Sequence, residues 1–110
     1  MDEALATIKE ALEILRELCK SNPDVAYPNL AMSLCNQAQF LKRGEHWAAA
    51  LGPIQEAVEI YRRIYQEYPL VYNELFRLSL FVLEECLWEV GREEEAQKAR
   101  EEADRILVEP

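Results

Sequence analysis

Few residues of this sequence belong to the types that carry chemistry. They are the cysteines Cys19, Cys35 and Cys86, a single histidine, His46, and the acidic run Glu93-Glu94-Glu95. The sequence has no Cys-x-x-Cys pair, glycine-rich phosphate loop or His-Glu-x-x-His motif, and no serine or cysteine beside a base. The acidic run suits the first turn of a helix, which favours negative charge, better than an acid/base or metal cluster. We therefore predict a protein that is not an enzyme and that holds neither a metal nor a cofactor.

The charge of the chain narrows the range of partners. Acidic residues number 21 and basic residues 12, so the formal net charge is −9 over 110 residues. This field repels phosphate backbones and anionic lipid heads, so neither nucleic acid nor a membrane surface is expected as a partner. No apolar run approaches the roughly 20 residues of a membrane span, and the N-terminus lacks the basic-then-apolar order of a signal peptide. These features predict a soluble, cytoplasmic protein.

A helical pattern recurs along the chain at a fixed spacing. The Glu-Ala pairs that begin at Glu10, Glu56 and Glu102 lie 46 residues apart, in the related segments IKEALEILRELCK, IQEAVEIYRRIY and AREEADRILV. A period of this size is typical of arrays in which each unit buries its apolar face by stacking on its neighbours. The same spacing aligns every cysteine with an aromatic residue, which favours a small buried side chain in each case. The aligned pairs are Cys19 with Tyr65, Cys35 with Phe81, and Cys86 with Phe40.

Apolar residues at spacings of three and four, interrupted by proline and glycine, predict five helices in a single all-α domain, 1–110. We expect this domain to contain a lone helix (1–21), a two-helix repeat (24–67) and a C-terminal repeat with a capping helix (70–108). The expected helices run from Met1 to Lys20, from between Asp24 and Pro28 to Arg43, from Glu45 to Glu67, from Leu70 to Val90, and from Arg92 or Glu93 to Val108.

Three details of these helices are also predicted. Pro53 indicates a kink in the third helix, or a helix whose regular part starts there. Gly44 and Gly91, at the ends of helices two and four, are 47 residues apart, which predicts that one turn is out of step by one residue. Helix four has too many apolar residues for one narrow stripe and is therefore expected to be buried on several sides.

Two segments, 30–64 and 75–107, resemble tetratricopeptide repeats of the long-repeat kind found in kinesin light chains and in the repeat regions of bacterial and fungal nucleotide-binding signalling proteins. The family pattern has a leucine-rich first helix, a turn glycine, small residues in the second helix and a proline in the following loop. The resemblance implies a right-handed superhelical solenoid of α-α hairpins, with the five helices in the order B-A-B-A-B. The matching positions are Leu34, Leu41, Gly44, Ala50, Ala57 and Pro69 in one unit, and Leu80, Leu83, Leu87, Gly91, Ala96 and Ala103 in the next.

In this family the first helix of each pair lines a concave surface that holds extended peptides or partner helices. The resemblance therefore implies a non-enzymatic scaffold that binds a peptide or helix between helices two and four. Asn36 occupies the place where similar arrays bond the peptide main chain, because an amide both donates and accepts. Trp88 suits ligand contact and plain packing equally, whereas Glu85 and Glu89 favour a basic ligand. Carried over by position, the lining is Met32, Cys35, Asn36, Gln39, Lys42 and Arg43, with Leu78, Phe81, Val82, Glu85, Trp88 and Glu89.

The two ends of the array predict an alternative function. The outer face of the last helix has turned polar relative to the middle B helix, as a solvent-exposed cap requires. The first helix keeps apolar residues at the same positions, but the sequence has no preceding A helix to cover them. This face is therefore expected to be open. The alternative is a structural segment, the C-terminal end of a longer array, that self-associates through helix one and has no ligand of its own. The positions are Gln97, Arg100 and Asp104 in the last helix, and Leu5, Ile8 and Leu12 in the first.

Overall fold

The computed structural model describes residues 2–106, with Asp2 described by its backbone alone, and this range contains five α-helices and no β-strand. The prediction of an all-α protein with five helices is confirmed. The expected start at Met1 and the expected helical end at Val108 lie outside the described residues. The helices are α1 (Asp2–Ser21), α2 (Pro23–Arg43), α3 (Trp47–Glu67), α4 (Pro69–Glu89) and α5 (Glu93–Arg105).

Each helix packs against the next one along the chain, and α2 also approaches α4. Alanines at the contacts let the helices come close together, and six of these alanines have no exposed surface: Ala31, Ala38, Ala50, Ala57, Ala96 and Ala103. Larger side chains fill the space between the helices, and each stabilises the fold by about 1.5–3 kcal/mol when it is fully buried. The largest contributors are Leu34, Ile54, Val58, Tyr61, Phe76, Leu80 and Leu87.

Prolines begin two of the helices and lie inside two. Pro23 and Pro69, 46 residues apart, occupy the first turns of α2 and α4, where a backbone N–H has no partner inside the helix. Both α2 and α3 continue through an internal proline, Pro28 and Pro53 respectively. The expectation that the regular part of the third helix begins at Pro53 is wrong. The proline removes one hydrogen bond, but buried residues on both sides of it hold the helix in place.

The turns that end α2 and α4 share one backbone geometry. The residue with positive φ is Glu45 (61°) in the first turn and Gly91 (84°) in the second, a spacing of 46 residues. In each turn, the N–H of this residue and the N–H of the next residue donate to carbonyl oxygens three and five residues back, which is a Schellman C-cap. The prediction of a turn out of step is therefore wrong. Gly44 has a φ of −86° and precedes the left-handed position, which a glutamate fills.

An arginine–glutamate pair that joins α1 to α3 recurs between α3 and α5. Arg16 donates two hydrogen bonds to Glu56, at 2.7 and 2.9 Å. Arg62 donates two to Glu102, both at 2.8 Å. The two arginines are 46 residues apart, as are the two glutamates, and bidentate pairs of this kind fix geometry as well as charge. The repeat in the sequence is therefore also a repeat of contacts in space.

The apolar surface of α4 is divided between buried and exposed sides. Its buried face includes Phe76, Leu80 and Leu87, whereas Leu75 and Leu78 are exposed. The expectation that this helix is buried on several sides is confirmed, because α3, α5 and, at a few points, α2 all contact it, but Leu75 and Leu78 lie on a side that none of them covers.

The expectation of an open face at Leu5, Ile8 and Leu12 also needs correction. Leu12 is only 7% exposed, and Leu5 and Ile8 are partly buried. In the described residues the helix that packs against α1 is α2, so these side chains are covered by the helix that follows α1. The corresponding residues of α5, which has no following helix in the described range, are exposed and polar, as predicted.

Candidate interaction surface

Helices α2 and α4 lie side by side and run in the same direction. Their N-terminal parts share a cavity of about 470 Å³, to which α2 contributes Tyr27 and α4 contributes Tyr72. Near their C-terminal ends, Lys42 Nζ of α2 donates to Glu85 Oε1 of α4 at 2.8 Å. Because both the beginnings and the ends of the two helices are adjacent, we consider their exposed sides together as one candidate surface.

Exposed apolar side chains recur on this surface at the spacing of the repeat. Val25 of α2 is equivalent to Val71 of α4, and Met32 is equivalent to Leu78. All four are between 48% and 66% exposed. Leu75 extends the row on α4. We call the exposed residues at these helical spacings the α2–α4 face: Val25, Met32, Asn36 and Arg43 of α2, and Val71, Leu75, Leu78, Glu85 and Glu89 of α4.

The predicted lining residues divide into exposed and partly buried groups. Asn36 and Arg43 are exposed on α2, and so is Glu89 on α4, so that polar groups follow the apolar row toward the C-terminal ends of both helices. Cys35 and Phe81 pack against the core and offer the face little surface. The exposed group is Met32, Asn36, Arg43, Leu78, Glu85, Trp88 and Glu89, and the partly buried group is Cys35, Gln39, Lys42, Phe81 and Val82.

Sequence reasoning missed the N-terminal half of this surface. Val25, Val71 and Leu75 were not among the predicted lining residues, although all three are exposed. The signal that identifies Val25 and Val71 is their separation of 46 residues, because two equivalent apolar residues in two equivalent helices share an environment. Leu75 carries no such signal, since its equivalent in α2 is Asn29.

The Lys42–Glu85 pair changes the electrostatics expected of the face. The two side chains are 27% and 47% exposed, so the pair lies at the surface and each charge largely neutralises the other. Glu85 is therefore a weaker site for a basic ligand than the sequence predicted. Glu89 and Arg43 have no ion pair within the described residues, and each is available to a charged group of a ligand.

Trp88 lies beside a cavity of its own, between α4 and α5. The cavity has a volume of about 620 Å³ and is lined by Phe81, Glu84, Glu85, Trp88 and Arg100, without any of the predicted residues of α2. Trp88 is 57% exposed. It is therefore not brought together with Met32 or Asn36, and contact between a ligand and Trp88 requires the ligand to extend past α4.

Two guanidinium groups lie close to the Phe81 ring in this cavity. The central carbon of Arg77 lies 5.0 Å from the ring centre and that of Arg100 lies 5.5 Å from it. Arg100 also reaches Glu84 at 3.6 Å. These cation–π contacts fix Phe81 as a structural support of the cavity wall.

The cysteines are free thiols in sheltered positions. Cys86 is fully buried, and Cys19 and Cys35 are partly buried. Burial raises the pKa of the Cys35 thiol to about 11, and it also raises the pKa of the other two. All three thiols are therefore protonated at neutral pH, and a protonated thiol is a poor nucleophile and metal ligand. Within residues 2–106, no three His, Cys, Asp or Glu side chains are grouped in a way that could hold a metal ion.

Two broader comparisons complete the description. None of the helices in the described range combines the length and apolar character needed to cross a lipid bilayer. No protein-family model matches the chain, and no curated protein or solved structure shows significant similarity to it.

Proposed function

We propose that this chain is a non-enzymatic protein-interaction module of the tetratricopeptide type that binds a peptide or helix along the α2–α4 face. The single observation that carries the proposal is the exposed apolar row in which Val25 and Met32 repeat as Val71 and Leu78. Exposed apolar side chains at two equivalent positions of two parallel helices suit a ligand that lies across both helices.

The architecture we propose is a right-handed superhelical solenoid, in which α1, α3 and α5 are B helices and α2 and α4 are A helices. The repeated turn geometry and the repeated arginine–glutamate pair support a constant step from one unit to the next. In such an array the A helices line the concave side, which is where the α2–α4 face would lie.

The residues of the face have distinct roles in this proposal. Met32 and Leu78 contact apolar side chains of the ligand. The Asn36 amide, which is exposed, donates to and accepts from the ligand main chain. Glu89 attracts a basic residue at the polar end. With two A helices the contact area is small, so we expect a dissociation constant of about 10 µM or weaker.

Peptide binding to matched variants tests the proposal. The probe is a fluorescein-labelled 15-residue peptide with leucines at helical spacings of three and four and two arginines at its C-terminus, measured by fluorescence anisotropy. Met32→Glu and Leu78→Glu should each weaken binding by about tenfold, because each places a charge in the apolar row. Gln55→Glu, an exposed position on α3, is the matched control and should leave the affinity unchanged.

Two further variants separate the roles of the polar and aromatic groups. Asn36→Ala should weaken binding of the peptide through the loss of bonds to the main-chain groups that a helix leaves unpaired at its ends, and Trp88→Ala should do so only if the ligand reaches the α4–α5 cavity. Equal affinity of the wild type, Met32→Glu, Leu78→Glu and Asn36→Ala for the probe would show that the α2–α4 face does not bind it.

A second candidate function is supported by a separate observation. Ile14 and Leu18 of α1 are exposed, although the other large apolar residues of this helix are buried or partly buried. We infer from them a structural segment that associates through α1 by way of Ile14 and Leu18, and not through Leu5, Ile8 and Leu12 as the sequence predicted. Self-association predicts an apparent mass that falls on dilution, and that falls further in Ile14→Glu. A mass in light scattering that does not change with concentration would contradict self-association.

A further inference from the structure

The outer side of α1 lacks the cover that equivalent parts of the other B helices have. Ile14, Ile60 and Ile106 occupy one position of the 46-residue repeat. Ile14 is 62% exposed, Ile60 is partly buried, and Ile106 is 7% exposed. Leu18 is likewise exposed, whereas its equivalent, Ile64, packs against the core. All three units have an isoleucine at this position, but only the isoleucine of α1 is mostly exposed.

A carboxylate next to this apolar pair is also without the partner that its equivalents have. Glu56 accepts two hydrogen bonds from Arg16, and Glu102 accepts two from Arg62. The equivalent residue of α1 is Glu10, which is exposed and forms no ion pair with any described residue. We define the α1 outer face as Glu10, Glu13, Ile14, Glu17 and Leu18. Like the face of α3 that contains Glu56 and Ile60, it combines an acidic side chain with an apolar one.

The structure also shows which groups adjoin that face on α3. Glu56 and Ile60 share a cavity of about 510 Å³ with the preceding two helices. Helix α1 contributes Arg16 and Cys19 to this cavity, and α2 contributes Leu30. The groups that adjoin this face of α3 therefore include an arginine one helical turn from a small apolar residue, together with a larger apolar group.

We propose that the α1 outer face docks a helix of a partner protein that places an arginine on Glu10 and apolar side chains on Ile14 and Leu18. This inference starts from the same exposed pair as the second candidate function but assigns it a different partner, so it does not depend on self-association. The arginine forms the same bidentate pair with Glu10 that Arg16 forms with Glu56, and the partner helix excludes water from Ile14.

A second copy of this chain fits the α1 outer face poorly. Glu10, Glu13 and Glu17 surround the apolar pair, so two such faces brought together would oppose like charges. The two arginines with the right geometry, Arg16 and Arg62, are already paired within the chain. Charge complementarity therefore favours a different, basic helix over a second copy.

The direct test measures docking of a helix of this chemistry on the full chain. The probe is a labelled synthetic peptide with the sequence of residues 2–21, in which Cys19 is replaced by serine and Glu10, Glu13 and Glu17 by glutamine, so that a basic helix presents the arginine that pairs with the equivalent carboxylate of α3. We expect saturable binding that Glu10→Gln weakens about fivefold, through loss of one exposed ion pair, and that Ile14→Asp abolishes. Glu3→Gln, an exposed carboxylate elsewhere on α1, is the control and should bind like the wild type.

A change in the probe tests the same pair from the other side. Arg16→Gln in the peptide should weaken its binding to the wild type, but should have little further effect on binding to Glu10→Gln. Additive losses would contradict the proposed contact, as would binding that is indifferent to both Glu10 and Ile14. Met32→Glu should not affect docking of this peptide, so failure of the α1 site and failure of the α2–α4 face are distinguishable.

An extended chain supplies the docking helix covalently, so it tests the inference even when the free peptide is not helical. A second copy of residues 1–46 placed before Met1 puts its arginine 40 residues ahead of Glu10, the separation found in both observed pairs. The urea midpoint should rise above that of the 110-residue chain, and Glu10→Gln should lower it in the extended chain alone. An equal effect of Glu10→Gln in both chains, or no rise in the midpoint, would overturn the inference.

Discussion

The hairpins α2–α3 and α4–α5 have the same backbone plan and very different surfaces. Both begin with a proline, turn through a left-handed residue and receive an arginine–glutamate pair at equivalent positions. Yet Ala38, fully buried in α2, corresponds to Glu84 in α4, and Ile54, fully buried in α3, corresponds to Arg100 in α5. The comparison shows that the turns and ion pairs define the repeated unit, whereas the side chains on its faces depend on which neighbour covers them.

The largest expected effect comes from the position at which the two hairpins differ most. Ile54→Ala should lower the free energy of unfolding by about 3 kcal/mol, because it leaves a cavity in a fully buried site. Arg100→Ala, at the equivalent site of α5, should cost less than about 1 kcal/mol, since it removes only exposed ion pairs and one cation–π contact. Urea unfolding measures both. Similar losses in the two variants would mean that the α5 face is covered in solution.

A glycine-to-alanine substitution should affect stability much more in the second turn than inside a helix. Gly91→Ala should destabilise the protein by about 1–2 kcal/mol, because alanine resists a φ of +84°. Gly52→Ala is the matched control, since neither added methyl group meets an atom within 4 Å outside its chain neighbours and its own helix. It should change the free energy of unfolding by less than about 0.5 kcal/mol, because the higher helix propensity of alanine is opposed by contact of its methyl group with the ring of Pro53.

Glu45 tests whether the first turn is the true equivalent of the second. Glu45→Gly should raise the free energy of unfolding by about 0.5–1 kcal/mol, because glycine adopts the left-handed conformation without strain. Thermal or urea unfolding measures the change. A destabilised variant would mean that the two turns differ in solution.

The smallest expected effects concern the repeated ion pairs. The hydrogen bonds from Arg62 hold the pKa of Glu102 below its ordinary value of 4.5, and Arg16 does the same for Glu56. A carboxyl whose pKa is lower in the folded state stabilises the protein fully above the ordinary value, and this stabilisation is lost as the pH falls through the lower, folded value. Both pairs should therefore weaken below about pH 4.5.

Replacing either glutamate should remove part of this acid sensitivity. Glu102→Gln should cost about 0.5–1 kcal/mol at pH 7, a figure reduced for screening by water at a partly exposed pair. Glu56→Gln should cost less, because its carboxylate is more exposed. Urea midpoints at pH 7 and at about pH 3 measure the change. Equal acid sensitivity of the wild type and both variants would show that the pairs do not contribute.

The number of helices and the spacing of the repeat could be predicted from the sequence, because apolar periodicity and helix-ending residues are local signals. The position of the left-handed residue could not, since the prediction assumed that a glycine takes it and a glutamate does so in the first turn. A local sequence pattern also does not show which neighbouring helix covers each face of a helix. For this reason Leu12 was expected on an open face but lies against α2, whereas the exposed Ile14 went unnoticed.

The interaction surface was predictable only in part for the same reason. The family resemblance placed Met32 and Leu78 on one lining, and both side chains are exposed, but their role in binding stays a prediction. The Lys42–Glu85 pair and the separate cavity beside Trp88 depend on the distance and angle between helices, which a one-dimensional spacing does not contain.

The central claim is that one 46-residue unit repeats in space as it does in the sequence, and spin-label distances test it most directly. Lys9, Gln55 and Glu101 are exposed, equivalent positions in α1, α3 and α5. With the native cysteines replaced by alanine, labels at Lys9→Cys, Gln55→Cys and Glu101→Cys can be measured in pairs. We predict equal distances for 9–55 and 55–101, and a longer distance for 9–101. Unequal steps, or a 9–101 distance as short as either step, would contradict the repeat and indicate a closed bundle.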